Sequence, residues 1–210
     1  VSKPDHNVNP RLQQLQPYPF QKLRELFAGT APAPDKRAIN LSIGEPKHPT
    51  PEFIRQALVD NLDGLANYPV TQGSDALRGS IATWCQQRYG IELDPATQIL
   101  PVLGSREALF AFAQAMIDPT RHVKRVLSPN PFYQIYEGAA LLAGAKPFFL
   151  NTLAANGYAM DFDTVPEDMW ETVQIVYVCS PGNPTGKVFS LNDWQRVFDL
   201  AEEHDFIVAA

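Results

Sequence analysis

Residues 1–17 are polar and rich in Pro and Gln, the pattern of an arm lying over something else. From Tyr18 to Phe27 the apolar positions Phe20, Leu23, Leu26 and Phe27 recur at helical spacing, with Gly29 placed as a C′ stop. Thr30 to Asp35 is a Pro/Ala linker. Ile39, Leu41 and Ile43 alternate with polar neighbours as a short strand ending at Gly44. Thr50 is placed to cap a helix with Pro51 at its first position, and Phe53, Ile54, Ala57, Leu58 and Leu62 share one face. Asn67 to Gln72 reads as extended. A further helix is expected over Ser74–Tyr89, with Leu77, Ile81, Trp84, Cys85 and Arg88 on one side and Gly90 as its stop.

Beyond residue 90 the pattern alternates. Ile99–Leu103, Arg125–Leu127, Lys146–Leu150 and Val173–Cys179 read as strands, and Phe206–Ala210 begins another. Glu107–Ile117, Phe132–Ala143 and Leu191–His204 read as helices. Ser190 caps the last of these, with Asp193 where a capping box needs its acid. Near-continuous apolar strands alternating with helices predict an α/β fold, a three-layer sandwich with a mostly parallel central sheet. Ligands of such sheets gather beyond the carboxyl ends of the strands, so the segments just after strands are the first place to look for chemistry.

Composition narrows the function classes. The 210 residues carry 17 Lys+Arg against 23 Asp+Glu, a net charge of −6, which argues against a nucleic-acid partner. The 45% hydrophobic and 19% charged content is that of a globular protein, and 19 prolines point to short connections. Cys85 and Cys179 lie far apart without metal-ligand spacing and read as buried free thiols, which fits a reducing cytoplasm. Val1–Pro10 lacks the apolar core of a secretory signal, and the longest apolar stretch, Ala108–Ile117, is too short to span a bilayer. The expectation is a soluble cytoplasmic protein with no metal site and no membrane or nucleic-acid partner.

Four turns after expected strands carry the candidate chemistry. Gly44-Glu45-Pro46 offers a close backbone approach or only a tight turn. Gly104-Ser105-Arg106-Glu107 would place backbone N–H groups, a hydroxyl and a permanent cation at a helix N-terminus, suited to a phosphate; the plainer alternative is a turn with a solvated Arg106. Pro131-Phe132-Tyr133-Gln134-Ile135-Tyr136 brings three aromatics that offer a flat face for a ring or only pack in the core, and Phe132 and Tyr136 read as core. Ser180-Pro181-Gly182-Asn183-Pro184-Thr185-Gly186 is a stiff turn that would project the Asn183 amide at a strand's carboxyl end. Tyr68 alone reads as half-buried surface, Arg78 as a surface charge or structural ion pair, and the four histidines form no cluster, although His48 lies near the Gly44 turn.

Together and in this order, Gly44-Glu45-Pro46, Tyr68 with Gly73 and Leu77-Arg78, Gly104–Leu109, Pro131-Phe132-Tyr133 and Asn183-Pro184-Thr185-Gly186 resemble the class I/II aminotransferases of the fold-type I pyridoxal phosphate family. The wording of Gln16–Phe20, Ile43–Pro51 and Leu103–Phe110 is most similar to the N-succinyldiaminopimelate aminotransferase subfamily of bacterial lysine synthesis. The resemblance implies pyridoxal 5'-phosphate as cofactor. It implies that Gly104, Ser105 and Arg106 hold its phosphate, that Tyr133 stacks on its ring and that Asn183 donates to the ring's phenolate oxygen. It implies that Gly44 lies near the substrate carboxylate and that Tyr68 reaches the phosphate of a partner subunit, in a homodimer with a shared active site. Lys47 and His48, standing where relatives carry an acidic-aromatic pair, are expected to recognise an extra carboxylate such as a succinyl group.

The same resemblance places the Schiff-base lysine, the Asp paired with the pyridine nitrogen, a Tyr near the phenolate and the Arg for the substrate α-carboxylate downstream of Phe206. On that reading residues 1–45 are an N-terminal arm with part of a small domain. Residues 46–210 are then the first half of a large cofactor-binding domain in a longer protein, and residues 1–210 alone are expected to be inactive. The implied reaction passes an amino group from glutamate to N-succinyl-2-amino-6-oxopimelate. Alternatives are an aspartate or aromatic aminotransferase, a C–S lyase, a ligand-sensing domain, or an interaction domain with no cofactor site. The last would be favoured if Tyr133 and Asn183 faced away from each other.

Overall fold

In the computed structural model, residues 8–31, 33–37, 39 and 44–210 are described. The short strand expected at Ile39–Ile43 falls largely outside them. The chain packs as two compact units: residues up to Arg24 together with Leu103–Ala210, and Glu25–Val102. The division expected at residues 45 and 46 lies inside the second unit.

The first unit is built on four parallel strands, β1 (Arg125–Asn130), β2 (Lys146–Asn151), β3 (Val173–Tyr177) and β4 (Ile207–Ala209), in the spatial order β2-β1-β3-β4. Leu127 stands opposite Phe148 on one side and Val176 on the other. Every residue of β3 is buried, because it is an inner strand covered on both faces. Side chains alternate between the two faces, as the strand period requires. Val126, Ile175 and Tyr177 pack with Ala113 and Ile117 at the end of α4 (Ser105–Met116) and Ala139 and Ala140 of α5 (Gln134–Ala143). Leu127, Val176 and Val178 pack on the other face with Val197 and Leu200 of α6 (Leu191–His204), Trp170 and Phe206. These are the three layers expected from the alternation of apolar strands and helices.

Local signals account for several boundaries. Ser190 and Asp193 make the reciprocal capping box at the start of α6: Asp193 N donates to Ser190 Oγ at 3.2 Å, and Ser190 N to Asp193 Oδ2 at 2.7 Å. In α3 (Asp75–Tyr89), Ser74 Oγ accepts from Leu77 N at 3.2 Å and Gly90 closes the helix at φ +69°.

Other expectations fail for identifiable reasons. Ile99–Leu103 is not a strand, because no strand among the described residues lies beside it to take its backbone hydrogen bonds; Leu100, Val102 and Leu103 are exposed. Helix α2 (Glu52–Asp60) begins one residue later than expected, with Pro51 rather than Thr50 at the N-cap and no side-chain cap. Helix α1 (Pro19–Phe27) ends without a left-handed Gly29. The expected apolar face of α3 is largely open, with Leu77 and Trp84 exposed. The buried residue of that helix is Arg78, paired with Asp75 and donating from Nη1 to Pro95 O at 3.0 Å. Cys85 and Cys179 are free but only half-buried.

Two stability predictions follow from this packing. Ser190→Ala removes one side of the capping box and is expected to cost about 1 kcal/mol, read by urea denaturation. Tyr177 is fully buried, stacks on Tyr136 with ring centres 4.3 Å apart and donates its hydroxyl to Leu109 O at 3.1 Å. Burial first, then the neighbouring Tyr136, pushes its pKa from 10.0 to about 12. The folded pKa lies above the unfolded one, so this contribution is complete below pH 10 and is lost as the pH rises toward 12. Tyr177→Phe is expected to flatten the loss of stability over that alkaline interval, at a cost near neutral pH of about 1 kcal/mol for the missing hydrogen bond.

Candidate active site

Two turns at the carboxyl ends of β1 and β3 build the site. After Asn130 the chain runs through Pro131 and Phe132 into Tyr133, the N-cap of α5. Phe132 stacks on Phe149 of β2 with ring centres 4.4 Å apart, and Tyr136 stacks on Tyr177. These two contacts anchor the start of α5 to the sheet. Tyr133, edge-on to Tyr136 at 5.9 Å, is left facing an open hollow.

Beyond β3 the Ser180–Gly186 turn is held by its own backbone. Gly182 N donates to Lys187 O at 2.7 Å, Gly186 N to Gly182 O at 2.8 Å, and Ser180 Oγ accepts from Phe189 N at 2.9 Å. Gly182 has no room for a side chain, since a Cβ there would stand 2.8 Å from Thr185 Oγ1. The turn holds exposed Asn183 on the same hollow, a cavity of about 530 Å³ shared with Tyr133. The two residues thus face a common space.

Arg106, in the first turn of α4, donates from Nε to Tyr133 Oη at 3.1 Å. That bond, then the Tyr133 and Tyr18 phenols close by, raises the guanidinium pKa further, so its positive charge is permanent. Gly104 is the N-cap of α4 and makes no side-chain cap, and the Glu107 carboxylate stands at this helix start, 2.6 Å from where a Gly104 Cβ would lie. Gly104 and Ser105 do not line the hollow itself; Arg106 is joined to its wall through Tyr133. Gly44, Lys47, His48 and Tyr68 belong to the second unit and are exposed there, Tyr68 almost completely.

Sequence patterns had not marked other walls of the hollow. Tyr18 and Phe20 come from the arm and the start of α1, where helical spacing marked Phe20 only as one position of a helix face. Tyr158 enters from the loop after β2 with a left-handed backbone, φ 61°, directly after Gly157 at φ 62°. The Asn156-Gly157 pair signals a turn but not which side chain it presents. Cys179 and Lys187 also border the cavity.

The donor set fits a phosphorylated aromatic cofactor: a flat phenol wall, an amide at the mouth, and a fixed cation beside an uncapped helix start. Among the described residues no group of acidic, His or Cys side chains could hold a metal ion. The family model for aminotransferase class I and II matches residues 36–210. The chain belongs to that family. Pyridoxal phosphate is the cofactor of class I and II aminotransferases.

Among solved structures, the chain is similar to an aminotransferase from Neisseria meningitidis, with 45% identity, a TM-score of 0.90, and 96% of this chain and 51% of that one covered. It is also similar to the aminotransferase AspB from Helicobacter pylori, with 36% identity, a TM-score of 0.84, and coverage of 92% and 50%. Among curated relatives it is 34% identical over 201 residues to an LL-diaminopimelate aminotransferase of Syntrophobacter fumaroxidans, covering 94% of this chain and 50% of that protein. The chain spans about half the length of the curated relatives it matches.

Gly182→Ala must displace the Thr185 hydroxyl. It is expected to increase deuterium uptake over residues 180–189 and to lower stability by about 1–3 kcal/mol, the range for overpacking a tight site.

Proposed function

We propose that the whole protein is a pyridoxal phosphate-dependent aminotransferase that passes an amino group between a small amino acid and a 2-oxo acid. The observation that carries this reading is the single hollow shared by Tyr133 and Asn183, with Arg106 bonded to the Tyr133 hydroxyl. When bound, the cofactor supplies an electron sink for the bond broken at the substrate's α-carbon. This chain's residues hold and orient it. Tyr133 stacks on the ring, and the Asn183 amide donates to the ring's phenolate oxygen. Gly104, Ser105 and Arg106 take the phosphate at the start of α4. Gly44 offers backbone to the substrate carboxylate. Tyr68 serves the phosphate of a partner subunit, so the working form is a homodimer with a shared site.

The finer reading is transfer from glutamate to N-succinyl-2-amino-6-oxopimelate in lysine and diaminopimelate synthesis, with Lys47 and His48 meeting the extra carboxylate. The curated relatives named LL-diaminopimelate aminotransferases support a diaminopimelate-type carbon skeleton. The similarity to an aspartate aminotransferase of Thermus thermophilus, 28% identical with a TM-score of 0.79, supports a second reading, an aminotransferase of aspartate type. A cytoplasmic location fits two free cysteines.

In the full-length protein, Asn183→Ala is expected to weaken cofactor binding about 10- to 100-fold, the value of a hydrogen bond to a charged group. Tyr133→Phe keeps the ring and is expected to keep most of that binding; Tyr133→Ala is not. Absorbance titration with pyridoxal phosphate measures both, and a full-length protein that binds none of it would overturn the reading. Lys47→Ala is expected to lower kcat/KM for the succinylated acceptor while leaving glutamate unaffected; an unchanged kcat/KM for that acceptor would remove the role given to Lys47.

A further inference from the structure

The arm that supplies Tyr18 and Phe20 to the hollow is fastened at its other end. A short 3-10 turn, Pro10–Gln14, begins at Asn9, whose Oδ1 accepts from Arg11 N at 3.0 Å. Arg11 then donates from Nη1 to Leu142 O at 3.0 Å, a carbonyl in the last turn of α5. A helix C-terminus leaves its final carbonyls without partners and carries partial negative charge, so a guanidinium there is favoured twice.

The helix is shaped to receive the arm. Gly144, the left-handed C-cap of α5 at φ +84°, has the Arg11 guanidinium where a side chain would stand: a Cβ would lie 2.5 Å from Nη2 and 2.6 Å from Cζ. Six residues earlier, a Cβ at Gly138 would lie 3.9 Å from a methyl of Leu15. The arm therefore runs from the C-terminal end of α5 toward its N-terminal end, where Tyr133 is the N-cap, and delivers Tyr18 and Phe20 to the hollow bordered by Tyr133.

We propose that Arg11 is a positioning residue: its latch on the C-terminus of α5 holds the arm so that Tyr18 and Phe20 close one side of the hollow. The latch acts through the arm and does not touch the reacting atoms. It makes the two ends of α5 work together, since the start of the helix forms one wall of the site and its end fastens another. Cys179, which borders the same hollow and is half-buried, reports how well that wall is closed.

The test uses the full-length protein in a Cys85→Ser background, which leaves Cys179 as the thiol of this segment. Arg11→Ala is expected to raise deuterium uptake over residues 12–20. It should also speed alkylation of Cys179 by N-ethylmaleimide about two- to five-fold, the change matching the loss of a charge at an exposed helix terminus. Arg11→Lys keeps the cation and is expected to return both readouts toward the parent. Unchanged uptake over residues 12–20 in Arg11→Ala overturns the proposal, as does faster uptake with unchanged Cys179 alkylation or a lysine variant that behaves like alanine. Neither readout needs turnover or bound cofactor, so both decide the latch independently of whether the protein proves to be an aminotransferase.

Discussion

Burial of β3 between two helical layers is the constraint on which the first unit depends. Its side chains alternate between the α4/α5 face and the α6 face, and none can be moved without opening a void on one side. Tyr177 ties this core to the site: its ring stacks on Tyr136, and Tyr136 fixes the start of α5 one turn after Tyr133. The stiff turn bearing Asn183 begins three residues beyond the end of β3. Packing energy in the sheet thereby sets the positions of the two residues that face the hollow.

The site combines rigid and adjustable parts. The Tyr133 and Asn183 walls rest on strand ends and backbone-bonded turns, which hold a ligand without reorganising. The wall formed by Tyr18 and Phe20 rests on a largely exposed arm, and exposed segments lie toward the low-stability end of a fold. Arg106 links the two kinds of wall: it bonds Tyr133 directly and stands near Tyr18. A cation tied to one phenol and near another has its reach limited before any ligand arrives.

Belonging to the class I and II aminotransferases accords with chemistry-bearing turns that follow strands, but not every patterned segment finds a partner among the described residues. The apolar run Ile99–Leu103 carries a strand pattern and yet is unpaired among the described residues, its leucines and valine exposed. The second unit has the same character: Phe53, Ile54, Leu58 and Leu62 are exposed although their spacing is that of one helix face. Periodicity reports what a segment is built to pack against and does not supply the partner.

Much of the fold was legible along the chain. Near-continuous apolar runs marked β1–β4, the Ser190/Asp193 pair marked the start of α6, and Gly90 marked the end of α3, because each signal is local. Asn183 could be singled out for the same reason, since a stiff turn after a strand points at a ligand wherever the strand lies; Tyr133 was set apart from its aromatic neighbours only by the family resemblance. The shared hollow, the Arg106–Tyr133 bond, the burial of Arg78 and the entry of Tyr18 and Tyr158 were not legible. They join residues separated by tens of positions, and only strand order and helix packing decide which of those meet. Sequence by itself determined the elements and the turns able to carry chemistry; the tertiary structure decided which of them share a space, because proximity across a parallel sheet follows from topology and not from spacing along the chain.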